Sequence, residues 1–276
     1  MPQTLADWLQ ACSLPKSEAR MLLQHAGGYT RARQITCAED ILPESVLASL
    51  NHLAERRLRG EPMAYLLGER EFYGRMFAVN PNVLIPRPET EHLVEAVLRH
   101  LPQNGKVWDM GTGSGIIAVT IALERPDVFV RASDISPAAL DTAKANAAKL
   151  GAEVEFACGS WFDVDRPSEQ HGYDVIVSNP PYIEAEDDHL RQGDLRFEPQ
   201  NALTDFSDGL SAFRVLAEKA GVYLKAGGWL MVEHGYNQGD AVRYLFSDNG
   251  FAEVVTLPDL AGLERLTIGR LKEIKS

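Results

Sequence analysis

The tetrapeptide Asn179-Pro180-Pro181-Tyr182 combines residue types that could bind and orient an amino group. It directly follows the apolar run 173–178, which is typical of a buried parallel strand, and open α/β sheets place their ligands at the carboxyl ends of such strands. A proline has no backbone N–H and fixes its own φ at about −65°, and it favours extended geometry in the residue before it. The sequence therefore predicts a stiff turn that presents carbonyl oxygens, a carboxamide and an aromatic ring.

This predicted turn suits a planar NH₂ group. The side-chain oxygen of Asn179 and the carbonyl oxygen of Pro180 can each accept one N–H hydrogen bond, and the ring of Tyr182 can pack on the plane of the group. The alternative is an ordinary proline turn after a strand, with no ligand.

A second motif lies upstream. Residues 106–110 are strand-like, the glycine-rich stretch Gly111-Thr112-Gly113-Ser114-Gly115 follows, and the apolar run 116–124 is typical of a buried helix. A strand, a glycine-rich turn and a helix can bind a nucleotide-like ligand, because the backbone approaches the ligand closely at the helix N-terminus.

The next predicted strand, 128–134, ends in a carboxylate, Asp134. An acidic side chain at this place can accept hydrogen bonds from both hydroxyl groups of a ribose. Asp134 could instead cap the next helix, predicted for 138–150, because Ser136-Pro137 is a typical helix start.

The spacing of the glycines separates two classes of ligand. Dinucleotide sites use G-x-G-x-x-G, whereas two isoleucines follow Gly115 here. Asp109 precedes the glycines, and a carboxylate there complements a cation better than a pyrophosphate. S-adenosylmethionine (SAM) carries a sulfonium and an ammonium group and no phosphate, so the sequence favours SAM.

Taken in this order, residues 109–115, the acidic strand end and the Asn-Pro-Pro-Tyr motif resemble those of class I SAM-dependent methyltransferases that act on amino groups. Two branches share this set: the adenine methyltransferases of DNA and RNA, and the HemK/PrmC family, which modifies a glutamine of peptide-chain release factors. The chain resembles the HemK/PrmC family over nearly all of its length. The matching segments are Arg70–Gly74, Leu84–Glu91, Ser160–Phe162, Arg196–Pro199 and Glu233–Gly235.

The resemblance implies a protein-(glutamine-N5) methyltransferase that uses SAM, releases S-adenosylhomocysteine and accepts the glutamine of a Gly-Gly-Gln motif. It places Trp161 beside the adenine, although Trp161 could instead belong to the core. We assign the transfer step to Asn179, Pro180 and Tyr182, and substrate binding to these three residues with Pro181. The residues expected to bind the cofactor are Asp109, Gly111, Thr112, Gly113, Ser114, Gly115, Asp134, Trp161 and Asn179.

Two other functions are open at this point. An adenine amino-methyltransferase acting on DNA or RNA is the nearest alternative. A non-catalytic module that binds SAM or a partner would be expected to lack an essential residue, yet Asp109, Gly111, Gly113, Asp134 and Asn179 are all present.

Charge argues against a nucleic-acid substrate. The 276 residues carry a formal net charge of −12 and a pI of about 5.1, whereas proteins that bind a long phosphate backbone usually have a basic surface. The densest basic cluster is the short stretch 56–59. We therefore expect no direct nucleic-acid substrate; the resemblance implies release factors as partners.

Cys12, Cys37 and Cys158 are odd in number and widely separated, which indicates reduced thiols in a cytoplasm. The sequence has no charged-then-apolar leader and no apolar stretch of membrane-spanning length, so we expect no membrane association. Asp187-Asp188-His189 could suggest a metal, but three adjacent residues rarely converge on one ion, and we expect no metal.

The chain is expected to form an N-terminal helical bundle at 1–70 that binds a partner, a β-hairpin linker at 71–88 and a methyltransferase domain at 89–276. Within the linker, the stretches 72–73, 77–79 and 83–85 are strand-like. Strands are predicted near 106–110, 128–134, 154–158, 173–179, 229–234, 252–257 and 264–270. The last two are expected to be antiparallel neighbours, because the loop between them is too short for a helical crossover. The resemblance implies the same fold: a Rossmann-like, seven-stranded α/β sheet with a terminal antiparallel strand.

Three further polar residues lie near the predicted motifs. Arg87 is either a substrate contact or a solvated loop residue, and Glu233 and His234 are given no role.

Overall fold

The computed structural model describes residues 3–166 and 172–272. The chain divides into two compact units, Met1–Glu69 and Arg70–Ser276.

The first unit is helical and has its own apolar core. Its helices are α1 (Leu5–Ala11), α2 (Lys16–Gly27), α3 (Arg31–Thr36), α4 (Glu44–Leu58) and α5 (Met63–Leu67). Helix α1 begins with a capping box, in which Thr4 and Asp7 each accept a hydrogen bond from the other's backbone N–H. The core is formed by side chains such as Leu5, Trp8, Leu22, Leu23 and Leu50.

The second unit begins with a β-hairpin, β1 (Glu69–Phe72) and β2 (Arg75–Ala78). Tyr73 and Gly74 both have positive φ, of 51° and 73°, as the tight turn of a two-residue hairpin requires. The strand-like stretch 83–85 is not a strand, because the backbone N–H of Ile85 donates to the side chain of Glu198 instead of a neighbouring strand.

The remaining elements alternate strand and helix. They are α6 (Thr90–His100), β3 (Lys106–Met110), α7 (Ile116–Glu124), β4 (Phe129–Asp134), α8 (Pro137–Leu150), β5 (Glu155–Cys158), β6 (Tyr173–Ser178), α9 (Gln200–Leu203), α10 (Ser211–Ala220), β7 (Leu224–Glu233), α11 (Gly239–Asp248), β8 (Phe251–Pro258) and β9 (Glu264–Leu271). Short 3₁₀ turns lie at Trp161–Val164, Asp188–Arg191 and Leu195–Phe197.

The main sheet has seven strands in the order β5-β4-β3-β6-β7-β9-β8. The five strands from β5 to β7 pair in parallel, and β9 pairs antiparallel with both β7 and β8. The predicted class I methyltransferase sheet with its terminal antiparallel strand is therefore confirmed.

Both faces of this sheet are covered, since alternate strand residues point to opposite sides. Val107, Val175 and Met231 belong to one core cluster with residues of α6 and α7. Trp108, Ile176 and Leu230 belong to the other, with residues of α10 and α11. None of the helices within residues 3–166 and 172–272 combines the length and apolar character needed to cross a bilayer.

The burial of helix α7 is explained by its apolar sequence. It is apolar on all sides and every residue from 116 to 122 is buried, as expected of a helix enclosed by other elements. Thr120 lies in the middle of it, fully buried, and its hydroxyl oxygen has no hydrogen-bond partner among the described residues. Thr267, on β9, is equally buried, but its hydroxyl contacts the His234 ring and Thr256 at 2.8 Å.

The two buried threonines should respond in opposite ways to replacement by valine. Burying an unpaired hydroxyl costs about 1–3 kcal/mol, so Thr120→Val should raise the free energy of unfolding by about 1 kcal/mol. Thr267→Val should lower the free energy of unfolding by about 1–3 kcal/mol, because it removes the two buried hydrogen bonds of this hydroxyl. Denaturant unfolding followed by tryptophan fluorescence measures both. Equal losses in the two variants would contradict this account of Thr120.

Candidate active site

The site depends on the pairing of β3 with β6. The two strands are parallel neighbours, and Met110 lies opposite Ser178. The Ser178 hydroxyl donates to the Met110 carbonyl oxygen over 2.7 Å. Because each strand ends at this pair, the glycine turn (Gly111–Gly115) and the proline turn (Asn179–Tyr182) leave the sheet at the same level.

Carboxylates on β3 and β4 fix the conformation of the glycine turn. Asp134 Oδ2 accepts from the Gly113 backbone N–H at 2.9 Å. Asp109 Oδ2 accepts from the Thr112 hydroxyl at 2.6 Å and from the Ala118 N–H, in the first turn of α7, at 3.2 Å. The turn ends at Gly115, where φ is +85° and a Cβ would lie 3.1 Å from that of Ala143.

Asp109 is fully buried, and burial raises the pKa of its carboxyl to about 7. Its other oxygen, Oδ1, has no hydrogen-bond partner within the described part of the chain. Asp109 does not line the cavity that the two turns border. The contact between Asp109 and a cationic ligand therefore stays a prediction, whereas its hydrogen bonds to the glycine turn are observed.

Asp134 lines the cavity. Its Oδ1 accepts from the Ser136 backbone N–H at 2.9 Å, and burial raises the pKa of its carboxyl. The cap of α8 is Ser136 itself, whose hydroxyl accepts from Ala139 N–H at 3.2 Å. Asp134 is therefore not the cap of α8; it supports the loop before that helix and lines the cavity, and its contact with a ribose stays a prediction.

The carboxamide of Asn179 has one occupied end and one unoccupied end. Nδ2 donates to the Thr90 hydroxyl at 3.2 Å, and that hydroxyl donates to Glu233 Oε2 at 2.7 Å. Asn179 Oδ1 and the Pro180 carbonyl oxygen accept no hydrogen bond from any residue that the structure describes. These are the two acceptors that the sequence predicted for an NH₂ group.

Glu233, the last residue of β7, is almost fully buried. Burial raises the pKa of its carboxyl to about 7, although the hydrogen bond from Thr90 and the charge of Arg265 oppose the rise. The sequence around Glu233 indicates no role for it; the only signal is its place at a strand end in a segment that resembles the family.

Tyr182 is partly buried beside the cavity wall. Its ring packs against the core cluster on the α10–α11 side of the sheet, and burial raises the pKa of its hydroxyl well above the usual value. Pro181 borders the cavity, and Tyr182 lies behind it. The packing of Tyr182 on a substrate amide stays a prediction.

A buried glutamine joins the proline turn to two other loops. Gln238 Nε2 donates to the carbonyl oxygens of Tyr182, at 2.9 Å, and Gly209, at 3.2 Å, while its Oε1 accepts from Gly235 N–H. The approach is so close that a Cβ on Gly209 would lie 2.5 Å from the Tyr182 carbonyl oxygen. Gly209 also has a φ of +73°.

Arg87 borders the cavity and is paired with Glu198, whose side chain is fully buried. The other oxygen of Glu198 accepts from Ile85 N–H at 2.9 Å. One carboxylate therefore holds the segment 85–87 against the segment that precedes α9. This arrangement replaces the solvated loop arginine considered from the sequence, while a substrate contact of Arg87 stays a prediction.

The cavity encloses about 410 Å³. Two apolar side chains on its wall were not anticipated: Ile135, 62% exposed, and Phe206, 64% exposed. Phe206 has a φ of +58°, which is uncommon for an aromatic residue, and the Thr204 hydroxyl accepts from its N–H at 3.0 Å. Asp205 fixes the rest of this loop through three backbone N–H groups.

Most of the predicted residues meet at this cavity. Those on its wall are Gly111, Thr112, Gly113, Ser114, Asp134, Trp161, Asn179 and Pro181. Those behind the wall are Asp109, Gly115, Pro180 and Tyr182. In residues 3–166 and 172–272, no three His, Cys, Asp or Glu side chains are grouped so that they could hold a metal ion.

Known proteins resemble the chain over its whole length. Residues 4–68 match the family model of the PrmC N-terminal domain, and residues 89–195 match that of the methyltransferase small domain. A release factor glutamine methyltransferase of Neisseria gonorrhoeae is 63% identical, covering 99% of this chain and 100% of that protein. One from Bordetella pertussis is 49% identical, covering 97% and 99%. A methyltransferase structure from Pyrococcus furiosus superposes with a TM-score of 0.56 at 17% identity, covering 81% and 100%, and supports the fold alone.

Gly209→Ala should be more damaging than the same change at a glycine that has room. At Gly250, φ is also positive (+88°), but a Cβ would meet no atom within 4 Å. Gly250→Ala should therefore cost only the conformational penalty of about 1–2 kcal/mol. Gly209→Ala should cost about 1–3 kcal/mol more, because the Cβ forces the Tyr182 carbonyl away. Denaturant unfolding compares the two, and equal losses would contradict the close approach.

The pKa of Glu233 predicts a pH-dependent difference between the wild type and Glu233→Gln. The ordinary pKa of the carboxyl is 4.5 and the folded value is about 7, so the folded state binds this proton more tightly. Its contribution to stability is complete below pH 4.5 and is lost as the pH rises through about 7.

The free energy of unfolding of the wild type minus that of Glu233→Gln should therefore decrease as the pH rises from 4.5 to 7. Other titrating groups, such as Asp109, are present in both proteins and cancel in the difference. Urea unfolding across this range measures it, and a constant or rising difference would show that Glu233 does not titrate in this way.

Proposed function

The chain belongs to the family of release factor glutamine methyltransferases, and from this we propose that it transfers the methyl group of SAM to a release factor. The acceptor is the side-chain amide nitrogen of the glutamine in the Gly-Gly-Gln motif. The alternative, methylation of adenine in DNA or RNA, has no comparable support, because the chain is acidic and its relatives carry the release factor name.

One observation carries the proposal. Asn179 and Pro181 border the same cavity as Gly111, Gly113 and Asp134. An NH₂ group held by the proline turn would therefore lie in the same space as a ligand of the glycine turn, as transfer between two bound molecules requires.

The residues at the glycine turn fit SAM. A Cβ on Gly111 or Gly113 would meet no atom within 4 Å, so the backbone here borders open space that a ligand can approach closely. The Asp134 carboxylate can accept from ribose hydroxyls, and Ile135 and Trp161 offer apolar surface for a base. When ionised, the Asp109 carboxylate behind the turn, with one oxygen unpaired within the described residues, would favour a cation over a pyrophosphate. SAM supplies an electrophilic methyl group and leaves as S-adenosylhomocysteine; no metal is needed.

The protein contributes orientation. An amide nitrogen is a poor nucleophile, because its lone pair is delocalised into the carbonyl group. Two acceptors, Asn179 Oδ1 and the Pro180 carbonyl oxygen, would hold both N–H bonds and leave the lone pair facing the cavity. As the new N–C bond forms, the bond between the methyl group and the sulfur would break and one proton would leave the nitrogen for water, so the product amide is neutral. Fixing the reactants in this way can contribute about 7–11 kcal/mol.

Residues 1–69 are proposed to hold the release factor. They form a separate compact unit that matches the PrmC N-terminal domain and contains none of the residues that line the cavity. The glycines beside the substrate glutamine would let its loop enter a narrow site. Cys12, Cys37 and Cys158 are free thiols, which is consistent with our proposal that the protein acts in the cytoplasm.

Substrate identity can be tested by incubating the protein with labelled SAM and, separately, a release factor, DNA or RNA. We expect label in the release factor alone, and mass spectrometry should place one methyl group on the glutamine of Gly-Gly-Gln. A release factor with that glutamine replaced by alanine should stay unlabelled. Label confined to nucleic acid would refute the proposal.

Asn179→Ala should separate binding of SAM from transfer. Calorimetry should show SAM affinity close to that of the wild type, whereas the transfer rate should fall by about 100-fold or more, since one of the two acceptors is lost. Asn249→Ala is the control: that asparagine donates to a helix-end carbonyl, Leu245 O, and does not line the cavity. Unchanged turnover in Asn179→Ala would remove Asn179 from the reaction.

A further inference from the structure

The side chain of Asn179 raises a problem of orientation. The two ends of a carboxamide have nearly the same shape, but one end donates hydrogen bonds and the other accepts them. If the group were rotated by half a turn, its NH₂ would face the cavity and would meet the NH₂ of the substrate. Two donors cannot bond to one another, so only one of the two orientations is productive.

The neighbours of Asn179 select one orientation. The Thr90 hydroxyl has a single proton, which it donates to Glu233 Oε2 at 2.7 Å. Towards Asn179 the hydroxyl therefore presents a lone pair, and it accepts from Nδ2 at 3.2 Å. If Asn179 Oδ1 took the position of Nδ2, it would face the Thr90 hydroxyl oxygen with no proton between them. The carboxylate of Glu233 therefore sets the direction of both hydrogen bonds, from Asn179 to Thr90 and from Thr90 to Glu233, because an ionised carboxylate can only accept hydrogen bonds.

The fold brings these three side chains together from distant parts of the sequence. Strands β6 and β7 are parallel neighbours in which Ser178 lies opposite Val232, so the next residues, Asn179 and Glu233, leave the sheet side by side. Thr90 is the first residue of α6. Thr90 has no exposed surface and Glu233 is 3% exposed, so water does not compete with either contact.

We propose that Thr90 and Glu233 are positioning residues that set the polarity of the Asn179 carboxamide and keep Oδ1 directed at the substrate. The inference rests on the proposed function in one respect: the group to be bound must be an NH₂. Glu233 does not line the cavity, and Thr90, which borders it, has no exposed surface, so neither is assigned a contact with the reacting atoms. If their role were purely structural, replacing them would lower the stability of the fold alone. If they are positioning residues, replacing them lowers the transfer rate even when SAM and the release factor are both fully bound.

The first test compares three variants with the wild type on one release factor. Thr90→Val keeps the shape and removes the hydroxyl, Thr90→Ser keeps the hydroxyl, and Thr120→Val is the matched control, a buried threonine that is not on the cavity wall. Thr90→Val should lower kcat about 10- to 100-fold, with KM for SAM within about threefold of the wild type. Thr90→Ser should recover most of kcat, and Thr120→Val should match the wild type.

Glu233→Leu extends the test to the end of the chain of hydrogen bonds. Without the carboxylate, the Thr90 proton is free to turn towards Asn179 and to attract Oδ1 in place of Nδ2. We expect kcat to fall by about as much as in Thr90→Val, that is about 10- to 100-fold.

A second readout needs no substrate. In NMR spectra, the side-chain NH₂ of Asn179 can be assigned from its absence in Asn179→Ala. Wild type and Thr90→Ser should show one of its two protons exchanging slowly with water, and this protection should be lost in Thr90→Val and Glu233→Leu.

The outcomes separate this inference from the proposed function. A wild type that transfers no methyl group to the release factor refutes the function, and the NMR comparison then supports or overturns the positioning role by itself. The inference is overturned if Thr90→Val turns over like the wild type, if Thr90→Ser is as impaired as Thr90→Val, or if the NH₂ protection is the same in all variants.

Discussion

The parallel pairing of β3 with β6 is the constraint on which the site depends. Met110 and Ser178 lie opposite one another and are joined by a side-chain hydrogen bond, and each is the last residue of its strand. A parallel strand shifted by one residue would exchange the faces of all its side chains and would also separate the two turns along the strand direction. The same pairing therefore fixes the core and brings the cofactor turn and the acceptor turn to one cavity.

Above the sheet, side chains fix the loops through their backbone N–H groups. Asp134 accepts from Gly113, Asp205 from three N–H groups of its own loop, and Glu198 from Ile85. Gln238 performs the corresponding task with both ends of its amide. Segments without regular hydrogen bonding can form an ordered wall in this way, because side-chain oxygens and nitrogens take the place of the missing backbone partners.

The sequence predicts what depends on local pattern. The seven strands, the glycine turn before α7 and the proline turn after β6 could be predicted because apolar periodicity and glycine or proline positions reflect local physics. The strand-like stretch 83–85 forms no strand in the structure, because the backbone N–H of Ile85 bonds to the side chain of Glu198, 113 residues away. The contacts of Glu233, Glu198 and Gln238 could not be predicted from local pattern, since each depends on segments that meet only in the folded chain. Tyr182 shows the same limit: an aromatic residue at a motif end can serve the core as well as a ligand, and only packing decides.

Burying a polar group without a hydrogen-bond partner lowers the stability of the fold, so the positions where such groups occur indicate function. Within the described residues, Asn179 Oδ1 and the Pro180 carbonyl oxygen accept no hydrogen bond, whereas Asn179 Nδ2 donates to the Thr90 hydroxyl and that hydroxyl donates to Glu233. A chain selected for stability alone would have no reason to bury a carboxylate at Glu233, whose pKa of about 7 reflects the cost of that burial. The cost is intelligible if the carboxylate is there to define which end of a nearby amide faces the cavity. On this view the loss of stability caused by burying Glu233 has the same origin as the free acceptor oxygen of Asn179, because the buried carboxylate keeps that oxygen directed at the cavity.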